Sequence, residues 1–310
     1  MMSIQDQLCA YLVGATKQQF LEDVWTYEKG EGGGRTRVWE EVESDVLEKG
    51  GVNFSSISGP ELPPAALASM PASLSKSEFR TTGVSVVIHP HSPIVPTIHL
   101  NVRYFEAGDL KNNDVQVWWF GGGIDLTPTY PQFSQVVQFH QTLKGIVEKH
   151  DQDYGKYKRQ CDEYFYLAHR KECRGIGGIF FDHLNSGQPK RQLWEFVQSV
   201  GLSLIQLYDP FLKRQSEPYS EQQRQFQLWR RGRYVEFNLL WDRGTKFGIQ
   251  SNGRTESILM SLPKTATWKY SHTPEKGSAE ANLINFYLKP QDWVNLKDQD
   301  EDQLLQKANQ

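Results

Sequence analysis

The residues best suited to chemistry lie in the stretch 97–104. Side chains of a strand alternate between faces. His99, Asn101 and Arg103 therefore share one face, and Ile98, Leu100, Val102 and Tyr104 share the other. A proton carrier, an amide and a guanidinium in one row can line a site for an anionic ligand; an ordinary strand with a solvated polar face would read the same way. The preceding strand offers Ser85, Val87 and His89 on one face, and then Pro90-His91. An HxH pair can chelate a metal, although Pro90 should end the strand there. Two further histidines fall inside apolar stripes: His140 on a helix expected over 132–150, and His169 on one expected over 156–171. Arg174, Arg243 and Arg254 each adjoin glycine, where backbone leaves room for a ligand. Asp125 and Asp242 are carboxylates set among aromatics and glycines. Each can accept from a ligand N–H or cap a turn.

Several chemistries are absent. No Ser-His-Asp arrangement, catalytic cysteine or dinucleotide fingerprint is convincing: GIGG at 175–178 lacks the GxGxxG spacing, and GEGGGR at 30–35 lacks that of a phosphate loop. Cys9, Cys161 and Cys173 form no CxxC pair and are odd in number, which argues for a reducing compartment. Lys and Arg total 34 against 37 Asp and Glu, a net charge of -3, so nucleic acid is not an expected partner. With mean hydropathy -0.59, the longest apolar runs fall far short of the ~20 residues of a membrane span. The first twenty residues carry neither a secretory nor a transit pattern. Aromatics reach 12 %, with nine Trp, which suits a large flat ligand or simply an aromatic core.

These residues need elements to position them. Strands are expected over 82–89, 97–104, 115–121, 178–181, 234–240 and 246–250. Helices are expected over 5–28, 132–150, 156–171, 191–208, 221–231 and 280–287. The early strands follow one another without intervening helices, so they should pair antiparallel. The expected class is α+β, a single domain over 1–310 with one antiparallel sheet and helices packed on it. The glycine run 30–35 reads as a flap, 55–77 as an irregular Ser/Pro-rich wrap, and the polar tail after Trp293 as a short exposed helix.

Four long segments carry a resemblance. GVSVVIHPHSPIVPTIHLNVRYF (83–105), WWFGGGIDLTP (118–128), CDEYFYLAHRKECRGIGGIFFD (161–182) and YVEFNLLWDRGTKFGIQSNGRTESILMSLP (234–263) resemble blocks of the oxygen-dependent coproporphyrinogen-III oxidases. The resemblance implies oxidative decarboxylation of two propionates of coproporphyrinogen III to vinyls, with O2 and loss of CO2, in haem biosynthesis. It implies a homodimer with a sheet between helical layers and no flavin, haem or nicotinamide, and the cysteines and the leader-free start make the cytoplasm the expected location. His99 matches the proton donor; Ser85, Asn101, Val102, Arg103, Asn252, Gly253 and Arg254 match substrate contacts. Asp125, Arg174 and Arg243 are expected to join them, and Asp242 to accept the pyrrole N–H groups. His89, His140 and His169 match metal positions of bacterial-type members, and any divalent ion is expected to be dispensable. The stretch 234–269 resembles the dimerisation segment. Asn252 departs from a related pattern that has Gly. A non-enzymatic tetrapyrrole-binding protein is the alternative; it would bind ligand without consuming O2.

Overall fold

The structure is a computed structural model that describes residues 1–40, 46–63, 74 and 76–309. Its elements run α1 (Met2–Thr16), β1 (Leu21–Thr26), β2 (Glu31–Trp39), β3 (Leu47–Gly59), β4 (Glu78–Pro90), β5 (Thr97–Asp109) and β6 (Asp114–Thr127). Next come α2 (Phe133–Glu148), α3 (Tyr154–Tyr164), the two-residue strands β7 (Tyr166–Leu167) and β8 (Glu172–Cys173), then β9 (Gly177–Leu184). The rest is helical: α4 (Lys190–Leu212), α5 (Glu221–Leu240), α6 (Arg243–Gln250), α7 (Thr255–Leu259), α8 (Ala279–Asn282) and α9 (Glu301–Ala308).

Seven strands form one sheet in the order β1-β2-β3-β4-β5-β6-β9, antiparallel throughout. The alternation of β4 and β5 decides which face is core. Val84, Val86 and Ile88 join Ile98, Leu100 and Val102 in a buried cluster with α1, α2 and α4. On the opposite side α5 meets Arg174 through Asn238, and α7 bonds Thr36 and Asn53 of the sheet through Ser257, so helices stand on both sides. α3 runs along the edge strand β9: its Tyr157 meets Phe181 on the core side, while Tyr164 stacks on Phe180 on the other. The expected α+β sheet-and-helix architecture stands.

Local expectations fail in five places. The stretches 234–240 and 246–250 are helix, not strand, so the 234–269 segment is not strand-turn-strand. A Ser220 capping box starts α5, and its buried face (Phe226, Trp229, Tyr234, Phe237) keeps helical spacing to the end. Asp242 then caps α6, accepting from the Thr245 N–H. The helix expected over 5–28 ends at Thr16, with Lys17 left-handed, and β1 follows. The glycine run is part of β2: Gly34 lies against the Trp25 indole, where any Cβ would collide with the ring. The helix expected over 156–171 stops at Tyr164, which leaves His169 exposed in the β7–β8 hairpin rather than facing inward. Of the segment 55–77, residues 55–59 belong to β3, and 64–73 and 75 lie outside the described residues.

Candidate active site

Strand register lays three rows across the face opposite the main core. One runs Gly51, Val87, His99, Asp125, Gly178; the next Asp23, Thr36, Asn53, Ser85, Asn101, Gly123, Phe180; the third Ser55, Gly83, Arg103, Gly121. Most members are glycine, serine or asparagine, which keeps the floor low between the charged groups. Gly121 has a specific duty: a Cβ there would meet Arg103 Nε at 2.8 Å and Asp182 Oδ1 at 2.9 Å. Those two groups form an ion pair of 2.9 Å, and Arg103 also donates to Asn101 Oδ1 at 3.2 Å and lies over Trp119. The Ser85 hydroxyl has no protein partner among the described residues and is half-buried.

A fixed charge cluster sits at the start of β5. His99 Nδ1 and Asp125 Oδ1 are 2.8 Å apart. Arg174 Nη2 donates to both Asp125 oxygens at 2.8 Å, and its Nη1 donates to Asn238 Oδ1 at 3.3 Å. Both partners of the ion pair are buried, at 2 % and 1 % side-chain exposure. The guanidinium is boxed by the rings of Phe165, Tyr234 and Phe237 at 4.1–4.8 Å. Burial pushes the Asp125 carboxyl up, but the Arg174 charge and the His99 bond outweigh it and hold it below the usual range. An ionised Asp125 can only accept. His99 must therefore carry its hydrogen on Nδ1, and Nε2 has no bonding partner among the described residues. With 22 % of its side chain accessible, His99 can exchange a proton with a ligand on the floor.

Asp242 and Arg243 stand beyond Phe180. The Tyr164 hydroxyl donates to Asp242 Oδ1 at 2.7 Å and accepts from the Arg243 N–H at 3.2 Å; Asp242 Oδ2 accepts from the Thr245 N–H and hydroxyl at 2.8 Å. Burial raises the Asp242 carboxyl, and the Tyr164 and Thr245 bonds more than reverse this. Those bonds, rather than the adjacent Arg243, keep it ionised. The Arg243 guanidinium instead covers the Tyr164 ring at 4.7 Å.

Arg254 marks the far end of the rows. It pairs with Asp23 of edge strand β1 and donates to Ser257 Oγ at 2.9 Å. Ser257 is tied to the sheet through Thr36 and Asn53. Asn252 adopts a left-handed φ of 53°, a conformation Asn tolerates nearly as Gly does. Gly253 bonds back to the Gly248 carbonyl at 2.7 Å.

Four residues singled out from the sequence lie apart. Val102 points into the core at 0 % exposure, against Gly201. His89 is fully buried between the Thr97 hydroxyl (3.2 Å) and the Ser261 carbonyl (2.9 Å), and burial pulls its pKa down to about 3. His140, also fully buried, bonds the Tyr154 hydroxyl and the Ile176 carbonyl. His169 receives the Trp241 indole N–H on Nδ1 and faces Glu236 with Nε2. These three do not fit a shared metal: every ring nitrogen already has another partner, and no group of three His, Cys, Asp or Glu among the described residues could hold one. Sequence reading missed Asp182, Tyr164, Asn238 and Asp23. Only Asp182 left a signal, as the residue that shares the Phe180 face of its strand.

Fold and site together define an antiparallel-sheet α+β protein with a low-floored face, arginines paired to aspartates along it, and an accessible His99 on a buried Asp125–Arg174 pair, an arrangement suited to acid–base work. The model of the coproporphyrinogen III oxidase family matches residues 1–293, and the chain belongs to that family. Among relatives, the oxygen-dependent coproporphyrinogen-III oxidase of Dictyostelium discoideum is 52 % identical over 316 residues, covering 94 % of this chain and 92 % of that one.

Proposed function

We propose that the protein converts two propionates of coproporphyrinogen III to vinyl groups, giving protoporphyrinogen IX with O2 as oxidant, in haem biosynthesis. The observation that carries this reading is the register of the sheet: His99, Arg103 and the small floor residues share one face, bounded by Arg243 and Arg254. Arg103 stands on β5, and Arg254, at the start of α7, pairs with Asp23 of β1, about four strand spacings or roughly 19 Å away, which suits carboxylates on opposite rims of a macrocycle. Ser85, Asn101 and the loop Asn252–Arg254 supply further donors; Val102 would contribute through its backbone, since its side chain faces the core.

For each propionate the reaction takes R–CH2CH2COO⁻, O2 and one proton to R–CH=CH2, CO2 and H2O2. Two electrons pass from substrate to oxygen, and the C–C bond to the carboxylate breaks. His99 supplies the proton from Nε2, and ionised Asp125 stabilises the imidazolium that carries it. Asp125 accepts four bonds and is inaccessible, so it positions His99 rather than touching substrate. Asp242 is half-buried and its Oδ1 has a lone pair to spare; it takes the pyrrole N–H groups. The electron-rich substrate reduces O2 without an organic cofactor, and a divalent ion is dispensable.

The working unit is a homodimer. Leu239, Leu240, Trp241, Phe247, Ile249 and Trp268 are exposed within 234–269, and a partner would cover them. Three free cysteines suit the cytoplasm; among the described residues no helix is long and apolar enough to cross a membrane. The test is incubation of purified protein with coproporphyrinogen III in air and under anaerobic conditions. Protoporphyrinogen formation in air alone supports the reading; binding with no O2 uptake overturns it.

A further inference from the structure

Helix α5 also lines a second cavity, next to its sheet-facing side. Tyr234, Phe237 and Asn238 face the sheet and Arg174, whereas Trp229, Arg230 and Arg233 line a separate cavity of about 510 Å3 with Arg170, Glu172 and Lys276. Its charge is unbalanced. Glu172 accepts from Arg230 Nη2 at 2.7 Å, and Glu236 accepts from Arg170 and from Arg233. Two carboxylates thus serve three guanidiniums, and Lys276 makes no ion pair among the described residues. Arg230 is only 7 % exposed, yet its Nη1 has no hydrogen-bond partner among the described residues, an arrangement that costs free energy unless a ligand or water completes it. Part of the remaining wall is apolar, from Trp229, Ala281 and Ile284, beside the polar His272, Thr273, Asn285 and Asn309.

We propose that this cavity binds a compact organic polyanion bearing at least two carboxylate or phosphate groups. Guanidiniums recognise both groups in the same way, and the volume lies in the range of small-molecule sites. The apolar wall favours an organic body over a bare inorganic ion. The sheet face and its arginines take no part.

Calorimetric titration of the full chain with citrate and with inorganic pyrophosphate, at fixed ionic strength, tests this. Saturable binding of one ligand per chain is expected, and the tighter probe identifies carboxylate or phosphate as the preferred group. Lys276→Glu, an exposed position with no partner to lose, should weaken that binding tenfold or more, as should Arg230→Gln. Arg103→Ala on the sheet face should leave it unchanged. The proposal is overturned if neither probe saturates at millimolar concentration, or if Lys276→Glu binds as well as the parent. It is also overturned if Arg103→Ala abolishes binding, which would move the ligand to the sheet.

Discussion

Two arginine–carboxylate pairs bracket the sheet face, and they are built for opposite purposes. Arg174–Asp125 is sealed at 2 % and 1 % exposure, held by two bonds of 2.8 Å and an aromatic box. Arg254–Asp23 lies open at 30 % and 43 %. Removing one member of a buried pair strands a charge in a low dielectric, whereas an open pair is already screened by water. The sealed pair therefore fixes His99 in one orientation and tautomer. The open pair is exchangeable, and under the proposed function an incoming propionate would replace Asp23 on Arg254.

The largest effect should follow from breaking the sealed pair. Arg174→Met leaves Asp125 buried and unpaired, and chemical denaturation should register a loss of about 3–5 kcal/mol; a loss under 1 kcal/mol would mean the cluster is wetter than its geometry. Asp242→Asn substitutes a donor for half of the acceptor. Turnover should fall ~100-fold with the fold intact by circular dichroism, and normal turnover would leave Asp242 with its capping role alone.

The open end should respond less. Arg254→Ala and Arg103→Ala should each lower kcat/KM roughly 10- to 100-fold, whereas Asp23→Ala should cost at most ~1 kcal/mol of stability and leave kcat/KM equal or higher. A fall in kcat/KM for Asp23→Ala would show that Asp23 positions Arg254 instead of yielding it.

Acid should act through groups outside both pairs. His89 is buried with its pKa lowered to about 3, and burial lowers His140 also. Unfolded histidine titrates near 6.5, so between that pH and about 3 the unfolded chain binds the extra proton. The stability that neutral His89 contributes is complete above the unfolded value and is lost as pH falls toward the folded one. From pH 6.5 to 5 the loss for His89 should be between about 1 and 2 kcal/mol. Denaturant midpoints for the parent and His89→Gln should show a shallower pH slope in the variant; identical slopes would contradict neutral burial of His89.

Much of this was legible in sequence because of period. β4 and β5 are core on one face only, and that asymmetry writes the alternation that put His99, Asn101 and Arg103 together. Helices α2 and α4 printed apolar stripes for the same reason. β2 and β3 stayed hidden because glycine and serine make a low floor with no hydrophobic signature. The stretch 234–250 misled through its aromatic and β-branched residues, since the Ser220 cap of α5 lies well upstream of it and the Asp242 cap within it reads equally as a turn. The partners Tyr164, Asn238 and Asp23 could not be foreseen: Asp23 lies 231 residues from Arg254, and such pairings belong to the tertiary fold.

The central claim is that the sealed Arg174–Asp125 pair acts by holding His99 ready for proton transfer. Its most direct test is the kcat of folded Asp125→Asn with coproporphyrinogen III in air. An Asn there can present its N–H to His99, removing both the fixed tautomer and the charge that stabilises the imidazolium. A fall of ~100-fold or more in kcat, with KM little changed, is the predicted result; a kcat equal to that of the parent enzyme would contradict it.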